Sequence, residues 1–256
     1  MARCSGQPPE TVFAPHAAEE RLSCTGDTVH IWGLDLDVSD AAIDALYPLL
    51  DQEERERAAR YRFITDRNRF VVRRSLLRKV LARYLETEAS RVRLQTGIQG
   101  RPELADYAQS TITFSVSHSQ GRALIAVAST ADLGVDLEAI RPLADLRAMI
   151  DRCLSSAEKD ELYSLPAELQ LERFYGYWTC KEAYLKALGV GLSRALDSIC
   201  IKRLEEEVGD CGLIKDGGIE VRALAVWSFT PWAGYVAATV TRRVCTCHQF
   251  FALSGQ

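Results

Sequence analysis

Apolar residues recur along this chain with two alternating periods. Over Val29-His-Ile-Trp-Gly-Leu-Asp-Leu36 they alternate, which predicts a strand. Ser39 and Asp40 can cap a helix running toward Leu50. A long helix is predicted from about Asp66 to Leu85, where Phe70, Val71, Leu76, Leu77, Val80, Leu81 and Tyr84 recur at helical spacing. Short β-type segments follow at Val92–Leu94, Thr111–Val116 and Arg122–Ala128, the last two joined by a tight Ser119-Gln-Gly turn. The second half repeats the order. A strand at Leu133–Leu137 precedes helices near Leu143–Cys153 and Ser156–Leu165. A long helix from Ala167 to Leu188 is closed by Gly189 and Gly191. Strands follow at Ser198–Arg203, Ile219–Phe229 and Gly234–Val240.

This order predicts an α/β (α+β) chain of two similar lobes, each a small sheet packed with a long helix. The lobes are expected over residues 28–131 and 132–245, with a loose tail at 1–27 and a C-terminal tail at 246–256. A cleft between two such lobes is a common place for a ligand.

Composition adds bounds. With 256 residues, 47% of them hydrophobic, the chain can bury one large core or two modest ones. Charged residues make up 26%, which argues against wholesale disorder. No apolar run approaches the roughly 18 residues that span a bilayer. Met1–Glu20 lacks a basic start followed by an apolar stretch, so no secretory signal and a cytoplasmic location are expected. The eight cysteines show no repeated CxxC spacing, and Cys245, Cys247 and His248 lack further zinc ligands at suitable spacing, so they read as reduced thiols.

Charge is unevenly spread. Net charge is −4, yet residues 55–83 carry +9 and the remainder −13. Such a basic block suits an anionic partner: nucleic acid, a phosphate-rich cofactor or an acidic protein. It also fits a solvated, Arg-rich helix face.

Four clusters carry candidate chemistry. In Gly134-Val-Asp-Leu-Glu138, alternation puts Asp136 and Glu138 on one face of a strand. Two adjacent carboxylates repel unless a cation or proton lies between them, and magnesium takes such hard oxygen ligands; a solvated strand face also fits. The second long helix carries Leu171, Phe174, Trp178, Leu185 and Leu188 in a stripe that Glu182 interrupts. An uncompensated buried carboxylate costs several kcal/mol, so Glu182 should face a cation, a functional cavity or an arginine of the basic block. Lys186 lies one turn on and Lys181 is adjacent. Phe114-Ser-Val-Ser-His-Ser119 places Ser117 and His118 at a strand end, and Gly100-Arg-Pro102 is a turn presenting Arg101.

These elements, together with Phe174-Tyr-Gly-Tyr-Trp-Thr-Cys-Lys-Glu-Ala-Tyr-Leu-Lys-Ala187, resemble in order and spacing the surfactin-type 4′-phosphopantetheinyl transferases over roughly residues 28–240, with the cyanobacterial branch as the nearest likeness. The resemblance implies two pseudo-two-fold-related lobes with coenzyme A in the cleft between them. It implies transfer of phosphopantetheine from coenzyme A to a serine of an apo-acyl or peptidyl carrier protein, releasing 3′,5′-ADP. Asp136, Glu138 and Glu182 would ligate magnesium, or manganese in its place. Asp136 and Lys186 would meet the coenzyme A pyrophosphate. Arg57, His118 and, beside it, Ser117 would meet the 3′-phosphate, and Arg101 another phosphate. Glu54 departs from a position where some members carry lysine, with Arg55 or Arg60 as substitutes. For the base that activates the serine, Glu182 is the candidate, directly or through a metal-bound water, and Lys181 the reserve. A monomer with neither nucleic-acid nor membrane partners is expected. An Arg-rich nucleic-acid-binding protein, or a different magnesium-dependent coenzyme A enzyme, are the rival readings; the first leaves the acidic residues unexplained.

Overall fold

The computed structural model describes residues 13–15, 22–24, 28–97, 100–105, 112–130, 132–190, 194–203, 210–242 and 247–253. Most of the expected N-terminal tail, Gly191 and Cys245 lie outside the described residues. The chain divides into two compact units, one built from Phe13–Phe114, His118–Ala131 and the C-terminal strand, the other from Ser115–Ser117 and Asp132–Thr246.

In the N-terminal unit, strands β1 (Ala14–Pro15) and β2 (Thr28–Asp35) precede helices α1 (Asp40–Leu46), α2 (Gln52–Ala59) and α3 (Ile64–Leu85). A ribbon of β3 (Leu94–Thr96) and β4 (Pro102–Leu104) follows, then β5 (Thr113–Ser119) and β6 (Arg122–Ala128). Ser39 caps α1 by accepting from the Ala42 N–H, and Asp51 with Glu54 closes a reciprocal capping box on α2. The apolar stripe of α3 is buried at Phe70, Val71, Leu76, Leu77, Val80 and Leu81, as its period predicts. At the β5–β6 turn Gln120 takes a left-handed φ of 53°. A Cβ at Gly121 beside it would lie 2.2 Å from Asp37 Oδ2, so the Asp37 carboxylate would have to shift to admit a side chain.

The C-terminal unit begins with β7 (Leu133–Ala139), then α4 (Leu146–Cys153), α5 (Ser156–Tyr163) and α6 (Ala167–Leu188). Strands β8 (Ile199–Arg203), β9 (Asp210–Asp216), β10 (Ile219–Glu220), β11 (Leu224–Phe229) and β12 (Tyr235–Arg242) complete it. The sheet order is β10-β9-β11-β12-β7, with β8 paired to β9. Helix α6 lies on β7 and β12 and ends where Gly189 adopts a left-handed φ of 70°. Helix and sheet are thus mixed in both units, as the alternation of periods predicts.

Two segments differ from the sequence expectation. Residues 247–253, read as a tail, form β13 (Cys247–Leu253), which pairs parallel with both β1 and β2. Phe251 stacks on Trp32 at 4.8 Å and Phe250 meets the Phe13 ring edge-on, so the segment gains its order from distant partners. This makes β2 an inner strand, paired on both edges by β13 and β6. The expected strand Ile219–Phe229 is broken at Val221, and its first piece pairs with β9. Strand β9 escaped prediction because Gly212 and the flanking aspartates mask its alternation.

Candidate active site

Within the C-terminal unit the chemistry gathers where α6 crosses β7. The period of the strand puts Gly134, Asp136 and Glu138 on one face, and Gly134 lets the helix close on it. A Cβ at 134 would lie 1.9 Å from the Ala183 carbonyl oxygen, so any other residue would force helix and strand apart. Glu182 and Lys186, one helical turn apart, flank this contact.

Asp136 is buried, with 4% of its surface exposed. Its Oδ1 accepts from the Lys186 ammonium at 2.7 Å and from the Ser117 hydroxyl at 2.8 Å. Lys186 also donates to the Val135 carbonyl. Ser115, which belongs to this unit, accepts from the Val135 N–H. Asp136 Oδ2 is buried and has no hydrogen-bond partner among the described residues, and the same holds for Glu182 Oε1. Burial, then the Asp136 carboxylate, raises the Glu182 carboxyl to about 7; Glu138 adds to the rise and Lys186 opposes it.

Two orphaned carboxylate oxygens, in mutual repulsion and with a third carboxylate acting on them, fit a divalent cation by their chemistry. Among the described residues no three acidic, imidazole or thiol side chains are grouped closely enough to hold a metal ion between them, so Glu138 is not drawn in with Asp136 and Glu182 as a third ligand.

Lys181 must be removed from the reacting groups. It is fully buried, and its ammonium donates to Glu158 at 2.6 Å and to the carbonyls of Cys153 and Leu196. Burial pulls its pKa down while Glu158 pushes it up. Glu158 is itself filled by the Ser155 N–H and hydroxyl and the Ile201 N–H. All three ammonium protons are used, so Lys181 anchors α6 to α5 and β8. Sequence reasoning missed Glu158, although Ser155-x-x-Glu158 is a legible capping-box pattern. The apolar stripe is also redistributed: Phe174 and Leu185 are buried, whereas Leu171, Trp178 and Leu188 are half-buried. The helix is enclosed on two sides, and Tyr177, Lys181 and Tyr184 take much of its interior.

The other predicted residues stand in the N-terminal unit. Arg57, on α2, is exposed with its guanidinium 5.3 Å from the Phe70 ring centre. His118 is exposed at the end of β5, its Nδ1 3.1 Å from Arg73 Nη1. Arg101 is half-buried just before β4, and burial lowers its pKa. Glu54 is buried, accepting from Arg74 Nε and lying 2.6 Å from Arg78 Nη1, a close ion pair without hydrogen-bond alignment. This carboxylate therefore serves the helix packing of α2 on α3. Arg73, which the sequence offered only as one cation among many, is the unanticipated neighbour of His118.

Comparison with known proteins agrees with this geometry. A family model described as the 4′-phosphopantetheinyl transferase superfamily matches residues 132–240. A second, described as 4′-phosphopantetheinyl transferase, N-terminal, matches residues 37–131. The two matches meet at the boundary where the C-terminal unit begins. The 4′-phosphopantetheinyl transferase HetI of a Nostoc species is 40% identical over 174 residues, 68% of this chain and 73% of the relative. The chain belongs to the 4′-phosphopantetheinyl transferase superfamily. A putative 4′-phosphopantetheinyl transferase of a Synechocystis species is 36% identical, covering 59% of this chain and 61% of that protein. The 4′-phosphopantetheinyl transferase Sfp of Bacillus subtilis is 28% identical over 67% of this chain and 75% of its own length. As a phosphopantetheinyl transferase, this chain carries its acidic residues in the part matched by the superfamily model, and Arg57, Arg101 and His118 in the part matched by the N-terminal one. Among the described residues, no helix of this transferase is long and apolar enough to cross a membrane.

Proposed function

We propose that this phosphopantetheinyl transferase moves the phosphopantetheine arm of coenzyme A onto a serine hydroxyl of an apo-acyl or peptidyl carrier protein. The serine oxygen bonds to the pantetheine-side phosphorus, the bridging phosphoanhydride bond breaks, and 3′,5′-ADP leaves. The observation that carries this reading is the pair of buried, unpartnered oxygens on Asp136 and Glu182 beside the Lys186 ammonium. Carboxylates for a cation and an ammonium for phosphate meet at one point.

Asp136 and Glu182, with Glu138 on the same face of β7, would hold magnesium, which when bound supplies charge neutralisation for the pyrophosphate. Ser117 and Lys186 hold Asp136 oxygen Oδ1 and so turn Oδ2 toward that role. Lys186 offers a second cation for the phosphate oxygens. Glu182 would take the proton of the serine hydroxyl, although a bound cation would draw its carboxyl below the value of about 7 that burial and Asp136 give it. Positioning and charge neutralisation supply most of the rate in such transfers. Arg57 and His118 would receive the 3′-phosphate, and Arg101 a further phosphate oxygen. Exposed Phe63 and Ile64, with Arg60 and Arg62 next to them in sequence, suit an acidic carrier domain.

Mass spectrometry of apo-carrier proteins incubated with coenzyme A, magnesium and this enzyme tests the reading. A mass gain of one phosphopantetheine on serine is expected, lost when magnesium is chelated. No gain across acyl, polyketide and peptidyl carriers refutes it.

A further inference from the structure

The N-terminal unit holds a cleft of about 700 Å³, built from its own residues between Pro48 and Ala105. That volume falls within the range of small-molecule sites. None of Arg57, Arg101, Ser117 and His118, read above as phosphate contacts, is among the described residues that line it.

Local chemistry fixes the walls. The turn Tyr47–Leu49 is closed by the Leu50 N–H, which donates to the Tyr47 carbonyl, and the turn Ala89–Arg91 by the Val92 N–H, which donates to the Ala89 carbonyl. The Ala105 N–H donates to the Arg93 carbonyl and joins the two ends of the β3–β4 ribbon. Arg78 is 2% exposed and donates to Asp51 Oδ2 at 2.9 Å. Asp51 is held in turn by its capping box on α2. A wall pinned in this way needs little ordering when a ligand arrives, which lowers the cost of binding.

The lining is divided by chemistry. Leu49, Leu50, Val92 and Leu94 supply an aliphatic surface, and no aromatic ring stands among the described lining residues. Nucleobases are commonly held by stacking on such rings, so the surface suits a hydrocarbon chain better than a base. Three arginines, Arg78, Arg91 and Arg93, share the lining with one aspartate, and the field inside favours an anion. Arg78 is committed to Asp51, whereas Arg93 and Ser90 are exposed on the same lining.

We propose that this cleft binds a medium-chain acyl carboxylate, its chain on Leu49, Leu50, Val92 and Leu94 and its carboxylate on the Arg93 guanidinium and the Ser90 hydroxyl. The charge-assisted hydrogen bond selects the acid over the corresponding alcohol, and the aliphatic surface selects it over a bare anion.

Methyl NMR of the isotope-labelled full chain, titrated with decanoate below its micelle concentration, with decanol and with inorganic phosphate, tests this. Decanoate should give saturable shifts clustered at Leu49, Leu50, Val92 and Leu94, with a Kd of about 0.1–1 mM. Decanol should bind at least about fivefold more weakly, the scale of one charge-assisted hydrogen bond. Phosphate should leave these methyls unmoved. In Arg93→Gln the decanoate affinity should fall by about fivefold while that for decanol stays within about twofold. Carrier turnover of that variant, measured without decanoate, should stay within about twofold of wild type, because the cleft holds none of the residues given to the transfer. Shifts that do not saturate or that scatter over the chain overturn the proposal. So do equal affinities for decanoate and decanol, phosphate shifts at the same methyls, or an undiminished decanoate affinity in Arg93→Gln.

Discussion

Burial and the carboxylates of Asp136 and Glu138 hold the Glu182 carboxyl up at about 7, against the pull of Lys186. A carboxyl whose folded pKa is raised favours the fold while protonated. That contribution is present below the ordinary value near 4.5 and is lost as pH rises through about 7. In chelated buffer at pH 8, Glu182→Gln should therefore melt at or above the wild-type temperature, with the gain vanishing by pH 5. Magnesium should raise the melting temperature of wild type and not of the variant. Turnover should fall by at least about 100-fold, the scale of a lost general base or charge stabiliser. Thermal unfolding with and without magnesium, beside carrier turnover, reads all of this. Near-normal turnover in the variant would sink both roles given to Glu182. Glu182 stood out in the sequence because it interrupts an apolar stripe, whereas Asp136 and Glu138 by themselves also fitted a solvated strand face. The fate of Lys181 was not legible. Neighbours on a helix differ by about 100° in direction, and only Glu158, distant in sequence, decides which of the pair faces inward.

The long elements were readable for a local reason. Helix α6 spans 22 residues with its stop at Gly189, and α3 carries a sustained helical period, so each announces itself without a partner. Strands β9 and β13 do not. The first is crossed by glycine and aspartate, and the second is stabilised by rings contributed from the far end of the chain. Helix α6 also shows how an element is fixed to its unit. Lys181 and Glu158 form a buried pair whose remaining donors and acceptors are all satisfied. Removing one partner of such a pair strands the other charge and costs about 3–5 kcal/mol. Lys181→Met should lower stability by about that amount in urea denaturation. The folded fraction should keep most of its transferase activity, because the ammonium reaches no reacting group. A variant of undiminished stability with abolished turnover would return Lys181 to the chemistry.

For the molecule as a whole, the charge pattern of the sequence was a coarse guide. Its +9 segment suggested one large anionic contact, yet several of its arginines bind Asp37, Asp51 and Glu54 or cover Trp32. Arg57 and Arg73 instead share the Phe70 ring. The C-terminal strand was the larger surprise, since the chain leaves the N-terminal unit after β6 and returns to its sheet as β13. That return brings His248 into the sheet opposite Val29. Burial there lowers its pKa from 6.5 to about 4. The unfolded chain consequently binds more protons than the folded one between those values. The neutral imidazole leaves the fold at full stability above pH 6.5, and stability drains as pH falls toward 4. The loss from this one group approaches about 3 kcal/mol. His248→Gln has no proton to gain, so its urea midpoint should fall less between pH 7 and pH 4.5 than that of wild type. The gap between the two curves should open below pH 6.5, whatever the carboxylates contribute to both. Parallel curves would show that β13 tolerates the imidazolium, and that acid lability resides elsewhere in the chain.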